Sequence, residues 1–366
     1  MRFYMPGRLI VGENAVRTNA ALLKAYGSRC LIVTGGSSAK KSGALADVTE
    51  ALEEQGIAFE LFDGIEQNPS VASCLRAGRM AAAFGAQFIL GIGGGSPMDA
   101  SKTIAVVTAN PELTEEKLYA YEWANRPLPI VLVGTTAGTG SEVTKISVLT
   151  DSSGKKHSVK ADTMYASLAF GDPRYTMTLP PRFTLSTGLD ALAHCVESYF
   201  SRMGDDISRG FSAAGIRILM KELPAVKAGD VLSLSQREQL YHASILGGLA
   251  INTSGTIFPH SVGYLLTEEY HIPHGIASAC FMPDLLDFTA AGDPQLAEAF
   301  YANIGAEKEA FTAWVEGLLP GLDVVMSEEQ IDAALPRWDN NAQRLNTAGN
   351  LTLADIRGIL VRKFVP

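Results

Sequence analysis

The sequence predicts two domains, an α/β domain over residues 1–180 and an all-α domain over residues 181–366. Three observations support this. A chain of 366 residues exceeds what one hydrophobic core usually serves. Its first half alternates short β-rich runs with helical patterns, as a parallel sheet with crossover helices requires. After Pro180-Pro181, helical periodicity dominates, so we place the domain boundary there.

The elements follow from hydrophobic runs and turn residues. Strands are predicted within residues 30–36, 58–64, 87–95, 129–140 and 166–173, with a helix over 43–55. Residues 146–159 alternate β-formers around Asp-Ser-Ser-Gly, which predicts a hairpin on the edge of the sheet. In the second domain the clearest helices lie within residues 185–201, 236–251 and 354–364.

Composition excludes several classes of protein. Acidic residues outnumber basic ones by 39 to 30, and no stripe of Lys and Arg is present, so nucleic acid is not an expected partner. The most apolar stretch, residues 81–92, is short and runs into glycines, which argues against a membrane protein. The four cysteines are far apart in apolar or helical contexts, which predicts buried thiols and a cytoplasmic location.

A glycine-rich turn, residues 91–99, follows one predicted strand and opens a helix. Ser96 is its expected N-cap, Pro97 its first helical residue, and Asp99 completes a capping box. A second turn of glycines and hydroxyl residues, 135–141, ends the next strand. One such turn alone is more often structural, and Ser96 replaces the last glycine of G-x-G-x-x-G. Two on neighbouring strands favour a bound nucleotide.

Four residues form a candidate metal site. Asp190 and His194 are four apart in a helical run and share a face, and His260 and His274 follow within a histidine-rich segment. Each residue alone also fits a surface pair or a hydrogen-bonded structural histidine. Together, one carboxylate and three imidazoles suit Fe(II) or Zn(II), with an open position for an alcohol or carbonyl oxygen.

These motifs together resemble the iron-containing (group III) alcohol dehydrogenase family over nearly the whole chain. The matching segments are residues 3–15, 62–70, 93–102, 135–142, 186–201 and 260–275. The resemblance implies a Rossmann-like α/β domain and an all-α domain, the dehydroquinate synthase-like/iron alcohol dehydrogenase fold, with the active site in the cleft between them. It also implies a homodimer.

Site residues follow from the resemblance position by position. It implies that Asp190, His194, His260 and His274 hold the metal. The implied contacts of the cofactor are Gly94, Gly95, Ser96, Asp99, Thr135, Thr136, Thr139 and Lys156.

Two positions depart from the family pattern. Many relatives carry a proton-relaying histidine four residues after the metal histidine that corresponds to His260, where this chain has Tyr264; His271 or solvent could replace it. NAD-preferring relatives carry an Asp after the first strand, where this chain has Gly35, followed by Ser37 and Ser38. Without that acid a 2′-phosphate is not repelled. We therefore predict that NADP(H) is used at least as well as NAD(H).

The sequence thus predicts a metal-dependent dehydrogenase that interconverts a small to medium uncharged alcohol and its aldehyde or ketone. A lyase or a dehydrogenase of phosphorylated substrates is an alternative, but it needs cations to hold a dianion, and residues 255–285 contain no Lys or Arg. A nucleotide-binding sensor without catalysis is a second alternative. The complete set of metal ligands argues against it.

Overall fold

A computed structural model describes residues 3–366 of the chain. Its strands are Arg8–Val11 (β1), Arg29–Thr34 (β2), Ala58–Phe62 (β3), Phe88–Gly93 (β4), Ile130–Gly134 (β5), Ile146–Thr150 (β6), Lys156–Lys160 (β7) and Leu168–Gly171 (β8). Its helices are Ala15–Thr18 (α1), Ser38–Lys41 (α2), Ala44–Glu54 (α3), Val71–Phe84 (α4), Gly95–Ala109 (α5), Glu115–Tyr119 (α6), Pro181–Phe200 (α7), Asp206–Ala228 (α8), Leu234–Ser254 (α9), Phe258–Glu269 (α10), His274–Ala279 (α11), Met282–Gly292 (α12), Pro294–Ile304 (α13), Lys308–Leu318 (α14), Glu328–Ala334 (α15), Ala342–Leu345 (α16) and Leu353–Phe364 (α17). Short 3₁₀ helices lie at Ala20–Tyr26, Ser141–Val143, Asp162–Met164, Pro173–Thr176 and Leu335–Trp338.

Six parallel strands form one sheet in the order β1-β8-β5-β4-β2-β3. The five predicted runs all contain strands of this sheet, which confirms the α/β class. Strands β4, β5 and β8 are buried along their whole length, because helices cover both faces of a parallel sheet. Strand β1 was not predicted; it is a four-residue edge strand whose first residue, Arg8, is exposed.

The core lies on both faces of this sheet. Leu31 and Val33 of β2 belong to a buried cluster that includes residues of α4 and α5. The alternate residues Cys30 and Ile32 belong to a second cluster, with residues of α3. Successive strand residues point to opposite faces, so one apolar run supplies both layers.

The hairpin β6–β7 forms as predicted, but its expected place on the edge of the sheet is wrong. Apart from an isolated bridge between Thr150 of β6 and Ser70, the two strands form a separate antiparallel sheet. Side chains hold it on α5 instead: Ser147 Oγ donates to the Asp99 carbonyl at 2.6 Å, and Thr103 Oγ1 lies 2.9 Å from Ser147 Oγ. Both contacts are long-range and leave no periodic signal in the sequence.

The strand order reverses direction between β2 and β4. From β2 the chain goes outward to β3, whereas from β4 it goes the other way to β5. Thr34, the last residue of β2, is in register with Ile92, next to the last of β4. Open α/β sheets bind ligands at the carboxyl ends of strands where the order reverses. The turns after β2 and β4 therefore occupy the expected ligand position.

Contacts divide the chain into two units. One comprises Tyr4–Pro180 with Val231–Gly248, and the other contains Pro181–Asp230 and Leu249–Pro366. Within residues 181–366, the segment Val231–Gly248 therefore groups with the α/β unit and not with the helical unit. It contains most of α9. Tyr241 on that segment donates a hydrogen bond to Glu142 Oε1 at 2.5 Å, within the α/β unit. No helix among residues 3–366 is both long and apolar enough to cross a bilayer.

Candidate functional site

Helix α7 carries the first part of the site. Every residue from 188 to 200 is buried, so polar side chains in this stretch face the interior of the helical unit. Asp190, His194 and Glu197 are spaced at i, i+4 and i+7, which puts them along one face of the helix. Three buried polar side chains on one helical face need partners on the elements that pack against it.

Helices α10 and α11 bring the other two histidines to that face. His260 lies in the first turn of α10, and His274 is the first residue of α11. Gly275 permits the close approach of α11 to α7, because a Cβ atom there would lie 1.9 Å from the Ser186 carbonyl oxygen and 2.9 Å from Asp190. The Pro-His-Gly sequence therefore sets His274 against Asp190.

One carboxylate oxygen lies at the centre of the cluster. Asp190 Oδ1 is 3.5 Å from His260 Nε2, 3.8 Å from His274 Nε2 and 4.0 Å from His194 Nε2. Asp190, His260 and His274 offer ligand atoms that all lie within 4.8 Å of one another. The rings of His194 and His260 stack at 4.8 Å. The structure thus brings together the four residues predicted to bind a metal.

These residues fit a bound cation. Asp190 Oδ1 and His260 Nε2 are buried and have no hydrogen-bond partner among the residues described, which is costly unless an ion satisfies them. Two ligand atoms about 2.1 Å from one tetrahedral ion lie about 3.4 Å apart. The distances around Asp190 Oδ1 are slightly wider than that, and the donor set of one oxygen and three nitrogens suits Fe(II) or Zn(II).

The electrostatics of the cluster also favour positive charge. Burial alone would lower the pKa of His260, but the neighbouring carboxylates of Glu197 and Asp190 raise it to about 10. Burial alone would raise the pKa of Asp190, but the imidazoles of His194, His260 and His274 bring it below its usual range. The negative charge of these carboxylates, which favours a proton on His260, also favours a metal ion in place of that proton.

Glu197 is a site residue that the sequence analysis missed. Its Oε1 lies 2.5 Å from His260 Nδ1, and its side chain is fully buried. The one available signal was its i+7 spacing from Asp190 on a helix already assigned to the metal site. That spacing places it on the correct face but does not identify its partner, 63 residues away.

The two candidate catalytic residues lie in different environments. The ring of Tyr264 stacks on that of His274, with centroids 5.5 Å apart and planes 11° from parallel. His271 lies in the short link between α10 and α11, exposed and with a left-handed backbone at φ 55°. Tyr264 therefore borders a proposed metal ligand, whereas His271 faces solvent.

The glycine-rich turn after β4 opens a helix as predicted, but the helix begins earlier than expected. Helix α5 starts at Gly95, with Gly94 as N-cap and no side-chain cap. The predicted capping box of Ser96 and Asp99 is therefore wrong. Ser96 lies within the first turn, and its Oγ accepts a hydrogen bond from the Asn68 N–H at 3.2 Å. The uncapped first turn leaves backbone N–H groups for an anionic ligand.

The Asp99 carboxylate explains why no capping box forms, because other parts of the protein use it. Oδ1 accepts hydrogen bonds from Ser141 Oγ at 2.5 Å and Lys102 Nζ at 3.3 Å, and Oδ2 accepts one from the Val148 N–H at 2.9 Å. These contacts connect α5 to the second turn and to β6. Lys156 begins β7, the partner strand of β6.

The two turns pack closely on each other. A Cβ atom on Gly94 would lie 3.0 Å from the Thr136 side chain, and one on Gly95 would lie 2.8 Å from that of Thr139. A side chain at Gly95 would therefore displace Thr139, and one at Gly94 would press against Thr136. Thr135 Oγ1 is buried and has no hydrogen-bond partner among the described residues. The second turn thus supplies hydroxyl groups beside the start of α5.

The third predicted part of the nucleotide site follows β2. Gly35 forms an isolated bridge with Gly64, and a Cβ atom on Gly35 would lie 2.6 Å from the Ile65 carbonyl oxygen. Ser37 precedes α2 and Ser38 begins it, and both are exposed. Because β2 and β4 are neighbours, this turn lies beside the turn that opens α5.

Comparison with known proteins identifies the family of the chain. The family model of iron-containing alcohol dehydrogenases matches residues 6–173, and the model of the C-terminal region of the Fe-containing alcohol dehydrogenase family matches residues 184–335. The solved structure of an iron-containing alcohol dehydrogenase from Thermotoga maritima is 35% identical, with a TM-score of 0.91 over 99% of both chains.

Two relatives of known activity are about 30% identical in sequence to this chain. An NADPH-dependent butanol dehydrogenase of Clostridium saccharobutylicum is 29% identical over 79% of this chain and 74% of the relative. A sulfoacetaldehyde reductase of Bilophila wadsworthia is 32% identical over 80% and 76%. With both family models matched in order along the chain, the protein belongs to the iron-containing alcohol dehydrogenase family and is an enzyme of the alcohol/aldehyde oxidoreductase type.

Proposed function

We propose that this enzyme interconverts a small to medium uncharged alcohol and its aldehyde or ketone, with NADP(H) used at least as well as NAD(H). The observation that carries the proposal is the position of Asp190 Oδ1, within 4.0 Å of three imidazole nitrogens. We propose Asp190, His194, His260 and His274 as the ligands of Fe(II) or, alternatively, Zn(II).

The residues of the chain position the reactants and the proton. A bound cation would polarise the substrate oxygen, and a bound nicotinamide would exchange a hydride with the adjacent carbon. The first turn of α5, with the Thr135 and Thr139 side chains, would hold the cofactor phosphates and ribose, and Lys156 would reach the cofactor. Tyr264 would donate a hydrogen bond beside His274, with His271 or solvent exchanging the proton.

The substrate class is inferred from the lack of Lys and Arg in the segment that contains two of the proposed metal ligands. Residues 255–285, which contain His260 and His274, include no Lys or Arg, and Phe258 and Phe281 of this segment pack together at 5.9 Å. An uncharged chain such as that of butanol, the substrate named for one relative, fits this composition. Sulfoacetaldehyde, named for the other relative, would bring an anion that this segment has no cation to neutralise.

The cofactor preference is inferred from the turn after β2. No carboxylate occurs between Gly35 and Lys40. This turn therefore has no acid to accept a hydrogen bond from the ribose 2′-hydroxyl of NAD, and none to repel the 2′-phosphate of NADP. Asp63, which follows β3, lies 3.4 Å from Lys40 Nζ, and both side chains are more than half exposed. In solution such a pair is weak, which leaves Lys40 able to meet a phosphate.

An activity screen tests the proposal. The enzyme, reconstituted anaerobically with Fe(II) or Zn(II), is assayed for reduction of butyraldehyde, propionaldehyde and sulfoacetaldehyde with NADPH and with NADH. We expect metal-dependent turnover of the uncharged aldehydes, with a kcat/KM for NADPH at least equal to that for NADH. A preference for NADH of about a hundredfold, close to 2.7 kcal/mol, would refute the cofactor assignment. Faster turnover of sulfoacetaldehyde would refute the substrate class.

Two further parts of the proposal concern the cell and the assembly. We propose a cytoplasmic enzyme, in line with the four buried cysteines, which carry free thiols. We also propose a homodimer. Strand β1 ends the sheet and offers its outer edge to a second copy.

A further inference from the structure

We propose that Glu197 is a positioning residue that fixes the orientation and tautomer of His260 and thereby sets the affinity of the site for its divalent cation. This inference rests on the proposed metal site. Glu197 is not one of the four proposed ligands, and the contacts of its carboxylate are with Ile257 and His260. On the His260 ring it contacts Nδ1, opposite the nitrogen that faces Asp190.

Both oxygens of Glu197 are engaged at the start of α10. Oε1 lies 2.5 Å from His260 Nδ1, and Oε2 accepts hydrogen bonds from the Ile257 N–H at 2.7 Å and the His260 N–H at 3.4 Å. Ile257 occupies the N-cap position of α10 and cannot cap the helix with its own side chain. The carboxylate from α7 therefore takes the place of the missing cap.

The same carboxylate determines which nitrogen of His260 is available. A histidine that binds a metal through Nε2 is neutral and keeps one N–H, so its proton lies on Nδ1, where the Glu197 carboxylate accepts it. Nε2 then presents its lone pair toward Asp190 Oδ1, 3.5 Å away. A carboxylate on the far nitrogen also makes the ligand nitrogen more basic, which strengthens its bond to a metal.

Neighbouring contacts would transmit any rotation of His260. The His194 ring stacks on it with the planes 19° from parallel, and the His274 ring meets it edge-on at 5.1 Å. Glu197 is fully buried, so no water replaces its hydrogen bonds when it is changed. Loss of the Glu197 carboxylate should therefore change the positions of His194, His260 and His274, although the ring that Glu197 contacts is that of His260.

Glu197→Gln is the informative substitution because it keeps the shape of the side chain. Its single amide oxygen can face either His260 Nδ1 or the two backbone N–H groups, but not both, and its NH₂ group then opposes a donor. Glu222→Gln is the matched control. Glu222 is also a buried glutamate of the helical unit, on α8, with 4% of its surface exposed.

The experiment measures the affinity of the metal-free protein for Zn(II) and for Co(II) by competition with a chelator, together with thermal unfolding and nucleotide binding. We expect Glu197→Gln to raise the metal Kd by about 10- to 100-fold, with nucleotide affinity unchanged. Glu222→Gln should leave the metal Kd within about twofold of wild type.

A metal Kd for Glu197→Gln within about threefold of wild type would overturn the proposal, and so would an equal loss in the control. If Glu197→Gln does not fold without metal, Glu197→Asp decides. It keeps the charge but withdraws it from Nδ1, so a metal Kd equal to that of wild type would also overturn the proposal. Failure of wild type to bind either ion would instead refute the proposed metal site, and this is measured first.

Discussion

Glu142 is a buried carboxyl group that the proposed chemistry does not use. Oε1 accepts a hydrogen bond from the Tyr241 hydroxyl at 2.5 Å, while Oε2 is buried without a hydrogen-bond partner among residues 3–366. Burial raises the pKa of Glu142, and the hydrogen bond from Tyr241 and the charge of Lys102 oppose the increase only in part. An unpartnered oxygen in the interior is tolerated better when the group is neutral.

The unfolding free energy of the Glu142→Gln variant should therefore increase relative to that of wild type as the pH rises. The folded state keeps a proton that the unfolded chain releases above its ordinary pKa of about 4.3. The stability from this group is complete below that pH and declines as the pH rises through the raised pKa. Urea unfolding at pH 5 and pH 8 should show the difference in unfolding free energy, Gln minus Glu, increasing by about 1 kcal/mol or more.

Glu66→Gln provides the contrast. Burial would raise the pKa of Glu66, but hydrogen bonds from Ser70 and Ser73 lower it overall. Its contribution to stability is present above the ordinary pKa and is lost as the pH falls, so this variant should differ from wild type by the same amount at pH 5 and pH 8. An equal pH response in the two variants would show that Glu142 is ionised in the folded protein.

At the scale of helices and strands, the sequence predicted the elements that form from local hydrophobic patterns, but not the features that depend on long-range contacts. Strands β2, β4, β5 and β8 were visible because buried parallel strands are continuous apolar runs, and α7 was visible from its periodicity. The capping box failed because two partners of the Asp99 carboxylate, Ser141 and Val148, are 42 and 49 residues away. Such contacts compete with a local cap and cannot be read from spacing.

Close packing between α9 and the second glycine-rich turn gives a prediction at this scale. A Cβ atom on Gly248 would lie 2.6 Å from the Gly140 carbonyl oxygen and 2.8 Å from the Gly140 Cα, both backbone atoms. Gly248→Ala must therefore move the helix or the turn, and should destabilise the protein by about 1–3 kcal/mol. Because that turn contains Thr136 and Thr139, nucleotide affinity should also fall in a fluorescence titration.

Gly210→Ala is the matched control for this substitution. Gly210 lies within α8, and a Cβ atom there would meet no atom within 4 Å. Alanine is the better helix former, so this variant should be more stable by about 0.5–1 kcal/mol, with nucleotide affinity unchanged. If Gly248→Ala were as stable as wild type and bound nucleotide normally, the contact between α9 and the turn would not matter for the cofactor site.

For the whole molecule, the order of the motifs along the chain identified the family better than any single motif did. The glycine-rich turns all lie in the α/β unit, and the four proposed ligands lie in the helical unit on α7, α10 and α11. The sequence predicted four residues as metal ligands. It did not show Glu197 or the close approach at Gly275, because both depend on how helices distant in sequence pack.

Metal binding should therefore stabilise the helical unit and leave the α/β unit unchanged. A cation that binds only the folded site stabilises it by about 2.7 kcal/mol at a free concentration 100 times its Kd. Because the ligands come from three helices, we expect added Zn(II) to slow hydrogen exchange of amides in residues 258–279 and to leave those in residues 88–109 unchanged. His260→Ala should abolish the metal effect. Protection that persists in this variant, or that extends equally to β4 and α5, would contradict the assignment of the ion to these helices.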